Sequence, residues 1–248
     1  MYTLRQYLPV VRGGVLTGRI AEMTAVNLLT GPVATLDGTT HQSAIAKSPV
    51  TAPVTIGPEG IAGDEQADRR VHGGFEKALH HYPRDHYPAW QDEIGALDLL
   101  NAPGAFGENI SASGLTEKNV AVGDIFRLGT ALIQVSQGRQ PCWKLNHRFG
   151  VADMALRVQR SGRSGWYYRI LETGSAGPGD TLTLIDRPAP DWTLHRLWQV
   201  MYVDRMNIDA LSQMAALEVL AEGWKRYARR RLESGKVEDW TKRLEGSS

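Results

Sequence analysis

From about residue 15 to residue 185 the chain sets short apolar runs between clusters of Gly, Pro, Asp and Ser, the pattern of brief strands punctuated by turns. The runs predict strands over 15–20, 43–47, 54–56, 124–128, 131–136, 165–171 and 180–185. Leu128-Gly129-Thr130-Ala131 reads as a tight hairpin between two of them. Helical spacing interrupts at 84–94, behind Pro83, and at 152–159. This is not steady strand–helix alternation, and no Gly-x-Gly-x-x-Gly follows a strand and opens a helix. A nucleotide-binding Rossmann domain is therefore disfavoured. A mainly β fold with α, a largely antiparallel barrel with interspersed helices, fits better.

The pattern changes after Arg187-Pro188-Ala189-Pro190-Asp191, a junction of linker type. Beyond it, helical spacing predicts segments over 193–206, 209–221 and 222–233. Asn207 or Asp209 could cap the second, and Gly235 is placed to end the third. The expected organisation is a barrel over 14–187 followed by a three-helix unit over 191–235. The third helix holds Lys225, Arg226, Arg229, Arg230 and Arg231, which reads as nucleic-acid binding or as a solvated face. A formal net charge of +1 over 248 residues favours the solvated face.

With one cysteine, the chain excludes an internal disulfide, a cysteine-ligated iron–sulfur cluster and a zinc ribbon within itself. No uncharged apolar run has membrane-spanning length, and the first nine residues lack the apolar core of a signal peptide. A cytoplasmic location is expected, with no stable nucleic-acid or membrane partner.

That cysteine, Cys142, lies in Ser136-Gln137-Gly138-Arg139-Gln140-Pro141-Cys142-Trp143-Lys144-Leu145. Pro141 suits a first helical turn, and Arg139 and Lys144 flank the thiol, so both the helix terminus and the charges favour thiolate. The alternative is a buried cysteine acting as a small hydrophobe. Four histidines fall between Val71 and His86, but adjacent His80 and His81 cannot share a helical face and no His-Glu-x-x-His is present, so zinc spacing is poor. His72-Gly73-Gly74 with Lys77 reads as an anion-binding turn or an ordinary tight turn, with Arg69, Arg70 and Lys47 as further charges. In Phe106-Gly107-Glu108-Asn109, Gly107 permits an unusual turn. Glu108 and Asn109 offer acceptors and donors suited to a heterocycle, or simply form a turn. A serine-hydrolase elbow is absent; a cysteine hydrolase using Cys142 with His72 or His81 stays open.

Taken in order, these segments resemble the MOSC family, named for the C-terminal domain of molybdenum-cofactor sulfurase, in its YiiM-like branch. The resemblance is carried by Ser43-Ala44-Ile45-Ala46-Lys47, Gly60-Ile61-Ala62-Gly63-Asp64, Val71-His72-Gly73-Gly74, Phe106-Gly107-Glu108-Asn109, Gly123-Asp124-Ile125, and Gln134-Val135-Ser136-Gln137 running to Pro141-Cys142. One departure stands out. Relatives often carry a proline-arginine pair before the cysteine segment, where this chain has Gly138-Arg139-Gln140-Pro141, and Gly138 is expected to loosen the turn.

The resemblance implies a strand-rich barrel binding the molybdenum–pterin cofactor, with Cys142 as molybdenum ligand. Lys47, Arg69, His72, Gly73, Gly74, Lys77 and Arg139 would form its phosphate site, and Gly107, Glu108 and Asn109 its pterin site. It further implies reduction of N-hydroxylated compounds, such as hydroxylaminopurine bases, to amines. His72 and His81 would then be proton donors and a separate protein the electron donor, and a homodimer is allowed. The rival reading is a carrier of cofactor, or of sulfur on Cys142, without turnover. Because every candidate precedes the Pro188–Pro190 junction, a chain ending at residue 190 is expected to retain cofactor.

Overall fold

Leu128 and Ala131 pair as the ends of a tight antiparallel hairpin that joins two strands of the main sheet. A computed structural model describes residues 26–36, 38–67 and 73–246. The expected strand 15–20 and the candidates Arg69 and His72 lie outside the described residues. The strands are β1 (Asn27–Thr30), β2 (Ala34–Thr35), β3 (Gln42–Ser43), β4 (Ser48–Pro49), β5 (Val54–Gly57), β6 (Gly60–Ile61) and β7 (Leu79–Pro83). They continue with β8 (Ile110–Ala112), β9 (Ile125–Leu128), β10 (Ala131–Gly138), β11 (Trp166–Glu172), β12 (Gly174–Ala176) and β13 (Leu182–Asp186).

Eight of these form one curled sheet in the order β13-β9-β10-β11-β7-β8-β1-β4, antiparallel except where β7 runs parallel to β8. The Val26 N–H donates to the Asp180 carbonyl at 2.9 Å, which draws the approaches to β1 and β13 together and curls the sheet into a half-barrel. Small sheets of β12-β5-β6 and β2-β3 flank it.

Residues 43–47 are not a strand. Only Ser43 belongs to one, and residues 44–47 run irregularly because Lys47 turns to pair with Asp64. The segment behind Pro83 opens as a tight 3-10 turn, Arg84–His86, and becomes helix α1 (Tyr87–Ile94), with Pro88 tolerated in its first turn. Helices α2 (Lys144–Phe149) and α3 (Met154–Ser161) follow β10. With α1 they cover a smaller apolar core that includes Tyr82, Trp90, Phe106 and Leu145.

The C-terminal unit is helical as patterned, with sharper ends. Helix α4 (Leu194–Trp198) runs into a π-helical turn, Gln199–Val203. Helix α5 (Ile208–Ala216) is capped by the Asn207 side chain, which accepts from the Ala210 N–H at 3.0 Å. Helix α6 (Glu222–Ser234) ends at Gly235, left-handed at φ 65°. A further helix, α7 (Thr241–Glu245), had no signature in the pattern. Arg226, Arg229 and Arg230 are solvated, but Arg231 is fully buried. Arg231 pairs with Glu238 and donates to the Val200 and Met201 carbonyls at 3.3 and 3.2 Å, within the π turn. Leu197, Met201, Leu211, Met214 and Trp224 share one core with Phe126, Leu128, Val135 and Leu182 of the sheet. Among the described residues no helix is long and apolar enough to cross a membrane.

Candidate functional site

Three irregular segments, residues 44–47, 106–109 and 139–143, converge on a cleft that opens to solvent. Gly107 makes the convergence possible. Its φ is +75°, and a Cβ there would stand 2.8 Å from Ile45 Cγ1. Of the candidates, Lys47, Lys77, Gly107, Asn109, Arg139 and Cys142 all line this cleft.

Arg139 follows the last residue of β10 and is held there by its N–H, which donates to the Gly165 carbonyl at 3.0 Å. Its side chain is buried, and Nη2 donates to the Phe106 carbonyl at 3.2 Å. Nη1 is buried with no hydrogen-bond partner among the described residues, while the guanidinium also acts on the neighbouring Tyr167 hydroxyl, and both residues line the cleft. Gly138 does not loosen the turn. It pairs with Trp166 in the sheet, and a Cβ there would come within 3.1 Å of the Trp224 indole, so its smallness admits the helical unit.

Cys142 is half-buried and stands just ahead of α2, whose first flanking residue is Trp143; its carbonyl accepts from the Leu145 N–H at 3.0 Å. Lys77 is the nearby cation. Burial pushes its ammonium below the ordinary lysine range, and the Cys142 thiol acts against that. The expected flank Lys144 also lines the cleft, with its ammonium donating to the Gln42 carbonyl at 3.0 Å. Burial likewise lowers Lys47, opposed by its ion pair with Asp64.

Glu108 does a different job from the one its sequence suggests. It is fully buried behind the cleft, accepting from the Gly104 N–H at 2.7 Å, the Phe106 N–H at 3.0 Å and the Tyr87 hydroxyl. Its oxygens are spent shaping the loop rather than reading a ring. Asn109 reaches the cleft wall, but Nδ2 donates to Asp64 at 2.8 Å and to the Leu29 carbonyl at 3.2 Å, while Oδ1 accepts from the His80 N–H at 3.1 Å. Gly74 sits at φ 89° and opens the 3-10 turn Phe75–Lys77, with a Lys77 N–H bond to its carbonyl at 2.8 Å; neither it nor Gly73 lines the cleft.

His81 is a second correction. It lies on the face of β7 away from the cleft, stacked on Trp166 at 4.2 Å, with Nδ1 3.0 Å from the Tyr168 hydroxyl. Burial, with His86 adding, lowers its pKa to about 3, so the ring is neutral at neutral pH and cannot serve as the cleft's acid. Its neighbour His80 lines the cleft instead, and burial pushes that ring well below the ordinary histidine range too. Among the other cleft residues that sequence reasoning passed over are Asp64, Gln140 and Tyr167. Asp64 gathers Lys47, Asn109 and the Gly31 N–H (2.9 Å) on one carboxylate. Among the described residues no three His, Cys, Asp or Glu side chains are grouped to hold a metal ion by themselves.

Residues 68–183 match the MOSC domain, and residues 192–235 match the YiiM-like, 3-alpha helix domain. Protein YiiM of Escherichia coli is 42% identical over 204 residues, covering 82% of this chain and 91% of that one. The chain belongs to the YiiM-like MOSC-domain family. The crystal structure of YiiM from Escherichia coli superposes with a TM-score of 0.76 at 35% identity, covering 90% of this chain and 98% of that one. A protein of Gibberella moniliformis named "Reductase" is 39% identical over 176 residues, 71% of this chain but 31% of that one. The MOSC cleft described above thus lies in a fold shared almost end to end with YiiM.

Proposed function

We propose that this protein is a molybdenum-cofactor-dependent reductase that converts N-hydroxylated compounds, such as hydroxylaminopurine bases, to amines, with electrons from a separate protein. Family membership supports an oxidoreductase of MOSC type, and the fungal relative's name points the same way. The observation that carries the cofactor reading is the buried Nη1 of Arg139, without a partner among the described residues, on a residue that lines the same cleft as the chain's only thiol. A buried guanidinium donor without an acceptor suits an anionic group such as the cofactor's phosphate. A cysteine thiolate is a soft ligand suited to a metal already held by sulfur.

In this reading Cys142 holds the metal and Arg139 and Lys77 hold the anionic end. The cofactor supplies two-electron redox chemistry, suited to removing oxygen from an N–OH group. Lys47 is engaged with Asp64, so its part is to tie residues 44–47 across the cleft mouth rather than to add a net charge. Glu108 and Asn109 fix the loop that presents Gly107. Solvent reaches the open cleft and supplies protons, since His81 faces elsewhere.

The test is protein purified from a host that makes molybdenum cofactor. Molybdenum and pterin should copurify, and a hydroxylaminopurine should be reduced with a reduced dye as donor. Cys142→Ala should lose the turnover and most of the molybdenum. Purified protein with neither molybdenum nor pterin would overturn the reading. Bound cofactor with no turnover from any donor would replace it with the carrier.

A further inference from the structure

The segment after the three-helix unit returns to the cysteine loop. Arg243, on α7, grips both peptide groups of Cys142. Its guanidinium Nη1 donates to the Pro141 carbonyl, which belongs to the peptide before Cys142. Its own carbonyl accepts from the Trp143 N–H at 2.8 Å, the donor of the peptide after Cys142. The same guanidinium reaches Gln159 Oε1 through Nη2 and lies over the Trp240 ring at 4.9 Å. Beside it the Leu244 carbonyl accepts from Asn146 Nδ2 at 2.9 Å, and a Cβ on Gly246 would touch the Trp143 indole at 3.4 Å. The helical unit adds a further tether, because Gln140 Nε2 donates to the Tyr202 hydroxyl at 3.2 Å.

Pro141 has no N–H and Cys142 lies ahead of the helix, so the thiol's own peptide groups receive little from α2 beyond the Leu145 bond. We propose that Arg243 is a positioning residue for Cys142. By holding the Pro141 carbonyl and the Trp143 N–H together it fixes how the thiol is presented to the cleft, and α7 is part of the functional apparatus. This rests on the reading of Cys142 as the working thiol, but not on which group it holds.

The single cysteine makes the test direct, since all thiol alkylation of the chain reports on Cys142. Iodoacetamide labelling is measured in cofactor-free protein for wild type, Arg243→Ala, Arg243→Lys, Lys242→Ala and Leu244→Ala, with the melting temperature of each. Arg243→Ala keeps the backbone bond to the Trp143 N–H but removes the side-chain bond to the Pro141 carbonyl, which should free the loop and raise the labelling rate by about threefold or more. Arg243→Lys, which can still reach one carbonyl, should return most of that change, and exposed Lys242→Ala should show none. Leu244→Ala weakens the packing of α7 without removing the grip and sets the effect of mere destabilisation. Labelling of Arg243→Ala equal to wild type, or no faster than Leu244→Ala at equal loss of melting temperature, would overturn the proposal. Both results are read without cofactor, so a protein lacking molybdenum leaves this test standing. Normal molybdenum with unchanged labelling sinks the positioning role alone.

Discussion

Replacing His81 by Phe should flatten the acid dependence of stability. The ring is fully buried, stacked on Trp166, and its pKa is lowered from 6.5 to about 3 by burial and by His86. Below pH 6.5 the unfolded chain takes up a proton that the fold refuses until pH about 3. Stability is therefore full above 6.5, is lost as the pH falls through the window from 6.5 to about 3, and stops falling below it. Between pH 7 and pH 5 the difference in proton uptake amounts to about 2 kcal/mol from His81 alone. For a chain of this size that is about 4–8 °C in melting temperature. His80 acts in the same direction and stays in both proteins. Phe keeps the stack but leaves the Tyr168 hydroxyl without its partner, a cost of about 1 kcal/mol. That cost applies equally at both pH values and cancels in the comparison. Calorimetry of wild type and His81→Phe at the two pH values gives the difference of differences. Equal losses in both would show that His81 is not held neutral in the fold, and would restore it as a candidate acid.

Glu108→Ala leaves two loop N–H groups and the Tyr87 hydroxyl without their acceptor, so it should cost about 3 kcal/mol or more, read as a fall of about 6–12 °C in melting temperature. A fall within about 2 °C would mean the loop does not depend on that carboxylate. Arg139→Met removes the Nη1 donor that has no acceptor among the described residues together with the Nη2 bond to the Phe106 carbonyl, so cofactor-free protein should lose about 1 kcal/mol, read as about 2–4 °C, while cofactor retention falls severely. Undiminished retention would take Arg139 out of the anion site.

The sequence pattern reached the sheet where apolar runs met clear turns. The hairpin 128–131, strand β11 and the start of α5 at Asn207 all follow local chemistry. It missed β7 because Leu79-His80-His81-Tyr82-Pro83 is buried on both faces. No alternation of polar and apolar residues marks such a strand. That parity decides which histidine faces the cleft, and it is His80 rather than the expected His81. Of the expected pterin residues Glu108 and Asn109, only Asn109 lines the cleft, and a sequence does not reveal that their hydrogen bonds are taken by Tyr87, Asp64 and backbone groups. Short β1 and α7 owe their form to partners distant in the chain, Ser111 for the one and Trp143 for the other.

The apolar side chains of α4, α5 and α6 complete the same interior as the half-barrel, so the prolines at 188 and 190 mark a change of secondary structure rather than a seam. Trp224 fills the space left over Gly138, and the Ala221 N–H bonds the Ser136 carbonyl at 2.9 Å on the strand that leads to the cysteine. Heat should therefore melt sheet and helices in one transition, and a chain cut at residue 190 would expose the sheet's interior and release the loop that carries Cys142. In descent, the two halves must change in step. A helical unit grafted from a distant relative would have to bring a residue shaped like Trp224 and a tail that still reaches Pro141.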